Sequence, residues 1–418
     1  MDSSILERIV KDVGTPVYVY DESRLRRNFQ VFYSAFRERY PKTKVLYAYK
    51  ANTSLAVCSI FRKEGAGADV VSGGELEIAG KIGLSGDDIM FTSNAKTREE
   101  LSLALDRGVV INVDSLSELS LLQKTAAETG KKARISFRIN PGIDPRTHPK
   151  IATGLAVSKF GLHMEEGIAF GAYRAAKGMK EIEIVGIHTH IGSQIKEVSP
   201  YVDAAEKMME FSYRLKKELS IQLRFVDLGG GLGVPYHEEQ TAKPGDLAEA
   251  VVPVIKKWNQ KLCYEPELWL EPGRYLVADA GILAATVQSM KQTPCRRFVN
   301  LDAGFNTLVR PAMYDAYHRI VVLGREEDAL AERYDIAGNV CESGDIFARD
   351  RALPTVREGD VLLILDAGAY GYSMASRYNS RMLPPEVLVR CDGSYETIRE
   401  KESMEDLYRH QRIPKDLL

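Results

Sequence analysis

The sequence predicts an α/β fold, a (β/α)8 TIM barrel followed by a C-terminal β-rich domain of sandwich or barrel-like type. Two observations carry that expectation. Short apolar or β-branched runs recur eight times between Val45 and Leu270, each followed by a helix-like stretch. Strands that alternate with helices build a parallel sheet with right-handed crossovers. Beyond residue 280 the runs continue but the helices between them fade, which marks a β-rich second domain.

The elements follow in order. Thr15-Pro16-Val17-Tyr18-Val19-Tyr20 reads as a strand lying before the repeat begins. The eight runs are Val45–Tyr49, Ala68–Val71, Ile89–Thr92, Val109–Val113, Arg134–Ile139, Ile184–His190, Phe225–Leu228 and Leu268–Leu270. Amphipathic stretches such as Gly74–Ala79 and Asp114–Leu119 supply crossovers. An open doubly wound sheet is the competing arrangement, but eight even units fit the usual barrel of about 250 residues better. Arg297–Asp302, Val361–Leu365 and Glu386–Val389 are the clearest later strands. The expected division is an N-terminal strand segment over residues 1–25 joining the β domain, a barrel over 26–280, and the β domain over 281–418.

Composition narrows the function class. The 418 residues exceed what one hydrophobic core usually serves. Lys and Arg number 56 against 58 Asp and Glu, a net charge of −2, so no basic footprint for nucleic acid or anionic membrane is expected. No apolar run approaches the roughly 18–20 residues of a membrane span. Met1-Asp2-Ser3-Ser4 lacks the pattern of a secretory leader. Five scattered cysteines with no CxxC pair argue against a disulfide framework or a thiolate zinc site. A soluble cytoplasmic protein is the expectation.

In such barrels the chemistry sits at the carboxyl ends of the strands. Those ends read Lys50, Asp69, Asn94, Asp114, Arg138 with Asn140, His188 with His190, Asp227 with a glycine run, and Glu271. Alternation places Leu46, Ala48 and Lys50 on one strand face, where a dehydrated lysine has a lowered pKa and a nucleophilic amine. The same lysine could instead pair with Asp69 or reach solvent. Asp227-Leu228-Gly229-Gly230-Gly231-Leu232-Gly233 can expose backbone N–H groups to a phosphate after the seventh strand, or simply form a tight βα turn. Glu271-Pro272-Gly273-Arg274 adds an arginine suited to the same anion. His188-Thr189-His190 could ligate a metal, but the other strand ends offer no further histidine, so no metal is expected. An amine for an aldehyde, a cradle for a phosphate and a carboxylate for a ring nitrogen are together the needs of pyridoxal 5'-phosphate.

With those residues assembled, the chain resembles the diaminopimelate decarboxylase family, in the alanine-racemase-like class of pyridoxal-phosphate enzymes. The resemblance spans nearly the whole chain. It rests on Tyr47–Asn52, Asp69–Glu75, His188–Gln194, Asp227–Gly231, Glu271–Arg274, Arg310–Tyr314, Cys341–Asp345 and Asp366–Gly371, in that order. One segment, Thr153–Gly161, departs from the family pattern at Ala156-Val157-Ser158, in an entrance loop.

The resemblance implies roles. Lys50 would bind the cofactor aldehyde, His190 would stack on the ring, and Glu271 would meet the ring nitrogen. Arg138 would lie near the phenolic oxygen, with Asp69 beside the cofactor. Ser193, Gly230, Gly231, Gly273, Arg274 and Tyr370 would surround the phosphate. Arg274, Arg310, Tyr314, Glu342 and Tyr370 would bind the amino-acid substrate, and Cys341 would deliver a proton. In the family Cys341 and Glu342 reach the other subunit's site, which implies a homodimer with shared active sites. The implied reaction converts meso-2,6-diaminopimelate to L-lysine and CO2, the last step of lysine biosynthesis. A decarboxylase of another basic amino acid or of carboxynorspermidine is the nearest alternative. A racemase would need a base on each face of the substrate. A non-catalytic pyridoxal-phosphate protein would need neither the β domain nor Cys341-Glu342.

Overall fold

The computed structural model describes residues 1–417 other than 146, 148–150, 152 and 155–157. Residues 155–157, part of the divergent entrance segment noted above, therefore lie outside the described residues. The chain forms two units, one of residues Leu25–Val277 and one of Met1–Arg24 with Ala278–Leu418.

The strand β1 (Val17–Asp21) belongs to the second unit. The first unit contains β2 (Thr43–Ala48), β3 (Gly67–Val70), β4 (Ile89–Thr92), β5 (Val110–Val113) and β6 (Ala133–Asn140). A short β7 (Leu162–His163), then β8 (Ile182–His188), β9 (Phe225–Asp227) and β10 (Glu267–Leu270) follow. Among the described residues, eight parallel strands run in the order β2-β3-β4-β5-β6-β8-β9-β10, and pairing of β10 with β2 closes the ring. Strand β7 pairs only with the end of β6, outside the ring.

Local sequence explains why three of the crossovers start at the mouth. Ser72, Thr97 and Ser115 follow the ends of β3, β4 and β5, and each accepts a hydrogen bond from the backbone N–H three residues on. These side chains satisfy orphan donors of the first turn, so the helices Gly73–Lys81, Arg98–Arg107 and Leu116–Thr129 begin at the strand ends. Gly108 and Gly130 close the latter two in the left-handed conformation.

Leu46, Met90, Val110, Val185, Phe225 and Trp269 fill the barrel interior. The Phe225 and Trp269 rings stack with centroids 3.8 Å apart and planes 4° from parallel. Gly186 lies against this stack, and a Cβ there would fall 2.2 Å from the Phe225 ring. Side chains thus plug the barrel, leaving the strand ends to form a floor for chemistry.

The second unit is one mixed sheet. Its later strands are β11 (Gly281–Gln292), β12 (Arg297–Leu301), β13 (Ile320–Val322), β14 (Glu332–Ala337) and β15 (Ile346–Leu353). Then come β16 (Val361–Ile364), β17 (Glu386–Val389) and β18 (Tyr395–Arg399). The main path is β15-β14-β12-β11-β1-β17-β18, with β16 pairing both β11 and β13. Strand β1 is antiparallel to β11 and parallel to β17, so the N-terminal segment lies in the middle of the sheet. The helix Ser3–Val13 covers it, burying Leu6 and Ile9 against Val17, Val19, Ile282, Leu363 and Val387. Leu6 and Ile9 are one helical turn apart, so both face the sheet. Among the described residues no helix is long and apolar enough to cross a membrane.

Candidate active site

Strand β2 stops at Ala48, one residue earlier than the sequence run suggests. The Ala48 N–H donates to Pro272 O at 3.2 Å, and the chain then turns through Tyr49–Ala51. Asn52 N–H donating to Tyr49 O (2.9 Å) and the Tyr47 hydroxyl donating to Asn52 O (2.9 Å) hold that turn. Lys50 therefore projects from a turn rather than from a strand. Its side chain is about a third exposed (34%), and Nζ lies 3.4 Å from Asp69 Oδ2. The dehydration expected of the lysine falls instead on Asp69, which is fully buried. Burial, then the neighbouring Glu271 carboxylate, push the Asp69 carboxyl up to about 6, against the pull of Lys50.

Opposite lie three buried groups. The His188 Nε2 is 3.1 Å from Glu271 Oε2, and Asp227 Oδ1 accepts from Gly229 N–H at 2.7 Å. Ligand atoms of His188, Asp227 and Glu271 lie within 4.8 Å of one another, a spacing a metal ion could use. The hydrogen bond between His188 and Glu271 already occupies one such atom from each. Burial raises the Glu271 carboxyl, but His188, Lys50 and Arg138 outweigh it and hold the group below the usual carboxylate range. Burial, then the Glu271 charge, push Asp227 well above that range. Two adjacent carboxyls thus shift in opposite directions, Glu271 toward its charged form and Asp227 toward its protonated one. Glu271 Oε1 is buried with no hydrogen-bond partner among the described residues. A buried carboxylate oxygen left open in this way suits a protonated ring nitrogen.

His190 is partly buried, and its Nδ1 accepts from Gly230 N–H at 3.2 Å. Burial, with Lys50 and Arg138 nearby, holds the imidazole pKa well below its ordinary value, so the ring is neutral. Arg138, also buried, sits with its guanidinium carbon 4.4 Å from the centre of the Phe160 ring. Burial lowers its pKa, against the attraction of Asp114, Glu271 and Asp69.

The glycine run is tight because backbone meets backbone there. A Cβ on Gly230 would fall 2.0 Å from Glu271 O, and one on Gly231, at φ +107°, would fall 2.2 Å from Gly192 O. Gly273 faces the Ala48 methyl, where a Cβ would come within 3.1 Å. Beside this run Arg274 donates through Nε and Nη2 to Ser193 Oγ (3.2 and 2.9 Å) and through Nη1 to the Tyr236 hydroxyl (2.9 Å). A charged, buried guanidinium next to close-packed glycines is a fitting seat for a phosphate.

The structure thus gathers Lys50, Asp69, Arg138, His190, Glu271 and the Ser193–Arg274 pair at the barrel mouth. The other candidates belong to the second unit. Arg310 and Tyr314 begin and end the helix Arg310–Tyr314, with Arg310 buried. Cys341 and Glu342 are exposed on a loop pinned by Asp345, whose carboxylate accepts from Phe305 N–H (2.6 Å) and Val340 N–H (2.7 Å). The Cys341 N–H donates to Asn379 Oδ1 at 2.8 Å, and the Tyr378 hydroxyl donates to Glu342 Oε1 at 2.5 Å. Tyr370 takes the left-handed conformation at φ +57°.

Residues 25–278 match the family described as pyridoxal-dependent decarboxylase, pyridoxal binding domain. Diaminopimelate decarboxylase of Archaeoglobus fulgidus is 45% identical over 410 residues, covering 98% of this chain and 96% of its own. The chain belongs to the diaminopimelate decarboxylase family. The enzyme of Methanothermobacter thermautotrophicus is 46% identical over 414 residues, covering 98% of this chain and 94% of its own. The crystal structure of the Methanocaldococcus jannaschii diaminopimelate decarboxylase in complex with L-lysine superposes with a TM-score of 0.93 at 44% identity. That alignment covers 99% of this chain and 95% of the other.

For a diaminopimelate decarboxylase family member, the barrel mouth also holds a cation that strand-end reading passed over. Lys96 is fully buried and donates to Glu118 Oε1 (2.7 Å), Asn112 O (2.7 Å) and Ser93 O (2.8 Å). It ties the end of β4 to the end of β5. The Asn112 side chain continues the link to Ser136 Oγ (2.9 Å) and Thr92 Oγ1 (3.4 Å). Its signal lay in Ser93-Asn94-Ala95-Lys96, a lysine just past a strand end like Lys50. Replacing Lys96 with Met strands the Glu118 carboxylate in the interior. The expected loss is about 3–5 kcal/mol of unfolding free energy, the usual consequence of breaking a buried pair from one side. Urea titration of the two proteins checks it; a difference below about 1 kcal/mol would place the pair among those worth no more than a surface bridge.

Proposed function

We propose that the chain decarboxylates meso-2,6-diaminopimelate to L-lysine, with pyridoxal phosphate held at the barrel mouth. The observation that carries this reading is the pairing of a lysine amine beside Asp69 with a buried Glu271 oxygen that has no hydrogen-bond partner among the described residues. The lysine-bound structure of a relative 44% identical supports the product assigned. The cofactor, when bound, would supply an aldehyde for the substrate's amino nitrogen and an electron sink for the pair left by departing CO2.

Each residue then has a task. Lys50 Nζ would bind the cofactor aldehyde, with Asp69 fixing the position of that amine. Glu271 would keep the ring nitrogen protonated, and neutral His190 would meet the ring without adding charge to it. Arg138 would serve the phenolic oxygen. Ser193, Gly230, Gly231, Gly273, Arg274 and Tyr370 would hold the phosphate. Arg310 and Tyr314, with Arg274, Glu342 and Tyr370, hold the substrate carboxylate that is kept. A product that remains an amino acid needs such a grip; a simple diamine would not.

Cys341 Sγ donates the proton that replaces CO2. The exposed, pinned loop of Cys341 and Glu342 supports a homodimer in which that loop completes the site of a second copy. Free thiols at Cys263, Cys295, Cys341 and Cys391, all exposed, suit a reducing cytoplasmic compartment.

Purified, cofactor-loaded protein should release CO2 and L-lysine from meso-diaminopimelate. It should turn over L-ornithine, L-arginine, L-lysine and carboxynorspermidine at least about a hundredfold more slowly, the discrimination expected when a charged subsite loses its partner. Comparable rates on a substrate that lacks the second carboxylate would overturn the substrate assignment.

A further inference from the structure

His318 and Arg310 meet in a buried contact. After the helix Arg310–Tyr314 the chain reverses at Asp315, which takes φ +50° and donates its N–H to Arg310 O. That reversal brings His318, wholly buried, back to the Arg310 side chain, itself only 5% exposed. His318 Nε2 lies 3.0 Å from Arg310 Nη1, and Nδ1 lies 2.8 Å from Leu365 O.

These partners decide the state of the ring. A carbonyl oxygen can only accept, so Nδ1 carries the hydrogen. A guanidinium can only donate, so Nε2 presents its lone pair to Arg310. Both conditions hold together only for the neutral tautomer protonated on Nδ1. The histidine backbone is anchored as well. Its carbonyl accepts from Arg351 Nη1 at 2.7 Å, and the neighbouring Arg319 O accepts from Leu365 N–H at 2.9 Å.

The choice of imidazole is informative. An Asp or Glu at this place would also accept from Arg310, but it would cancel the charge that a substrate carboxylate needs. A neutral acceptor restrains the guanidinium without itself cancelling the charge that meets the ligand. We infer that His318 is a positioning residue for substrate recognition, in which its Nε2, aimed by the Leu365 carbonyl, holds the Arg310 guanidinium in the orientation that takes the retained carboxylate. The inference rests on the reading of Arg310 as a carboxylate-binding residue.

Two variants of similar polarity separate the outcomes, each assayed as holoenzyme on meso-diaminopimelate. In His318→Gln the longer amide reaches the place of Nε2 and offers Arg310 a carbonyl acceptor. In His318→Asn the amide reaches only the place of Nδ1, keeping the Leu365 contact and losing Arg310. The expected result for His318→Asn is a KM raised about tenfold with kcat within about twofold, the mark of lost binding common to ground and transition states. His318→Gln should stay within about threefold of the unmodified protein in both constants. Equal KM for the two variants, whether both raised or both unchanged, would overturn the inference, as would a fall in kcat at unchanged KM. Arg310→Met tests the underlying reading separately. If it leaves KM unchanged, the carboxylate role of Arg310 fails; if it raises KM while His318→Asn does not, only the positioning role of His318 fails.

Discussion

Replacing Lys50 with Arg is expected to abolish turnover and the visible absorbance of bound cofactor while leaving the fold intact. The reason lies in what each side chain can do beside Asp69. Arginine keeps a positive charge near a fully buried carboxylate, which Lys50 contacts at 3.4 Å. It offers no nucleophilic amine, because its guanidinium stays protonated at any workable pH. Lys50→Ala should be equally inactive, and Asp69 has a ready response to the lost cation. Its carboxyl is already pushed up to about 6 by burial and by Glu271, so without Lys50 it takes up a proton near neutral pH. Borohydride treatment of the unmodified protein should fix the cofactor on the peptide carrying Lys50, read by mass spectrometry. Labelling of another peptide, or cofactor absorbance that survives in Lys50→Arg, would remove Lys50 from its assigned role.

Glu271→Gln carries the second large effect. The substitution preserves size and a hydrogen bond to His188, now 3.1 Å from Glu271 Oε2. It removes the negative charge that His188, Lys50 and Arg138 sustain against burial. A neutral amide does not hold a ring nitrogen protonated, so the electron pair released with CO2 finds a weaker acceptor. A fall in kcat of about 10²–10³-fold is expected, the usual worth of one preorganised electrostatic contact to a developing charge. KM should change little, since the contact matters most as charge develops. A kcat within about tenfold of the unmodified protein would place the ring nitrogen's partner elsewhere.

Much of the barrel mouth was legible along the chain, and for a local reason. In a parallel β/α ring each strand end faces the same side, so the residue that follows each run is a site candidate wherever the ring closes. Lys50, Asp69, Arg138, His188, His190, Asp227 and Glu271 all emerge that way. The tight glycines beside Glu271 were legible too, as a cluster with no helical or strand use. What the run of residues misplaced was fine geometry. Lys50 sits in a turn made by Tyr47, Asn52 and Pro272, and one of those partners lies more than two hundred residues away. The dehydration expected at the lysine is borne by Asp69, because burial is set by neighbouring strands and not by the residue's own run.

Lys96 and His318 went unread for a related reason. Each is ordinary in its own segment and acquires meaning only from an acceptor or donor brought up by another element, Glu118 and Asn112 for one, Arg310 and Leu365 for the other. Period and capping act over a few residues, so the order of amino acids alone settles the β/α rhythm, the starts of the crossover helices and the identity of the strand-end residues. Long-range pairing decides the rest. It closes the ring between β10 and β2, and seats β1 between β11 and β17. It also fixes which of two adjacent carboxyls, Glu271 rather than Asp227, is favoured in the charged form. Those outcomes depend on desolvation and on hydrogen-bond partners remote in the chain, quantities that exist only once the interior has formed.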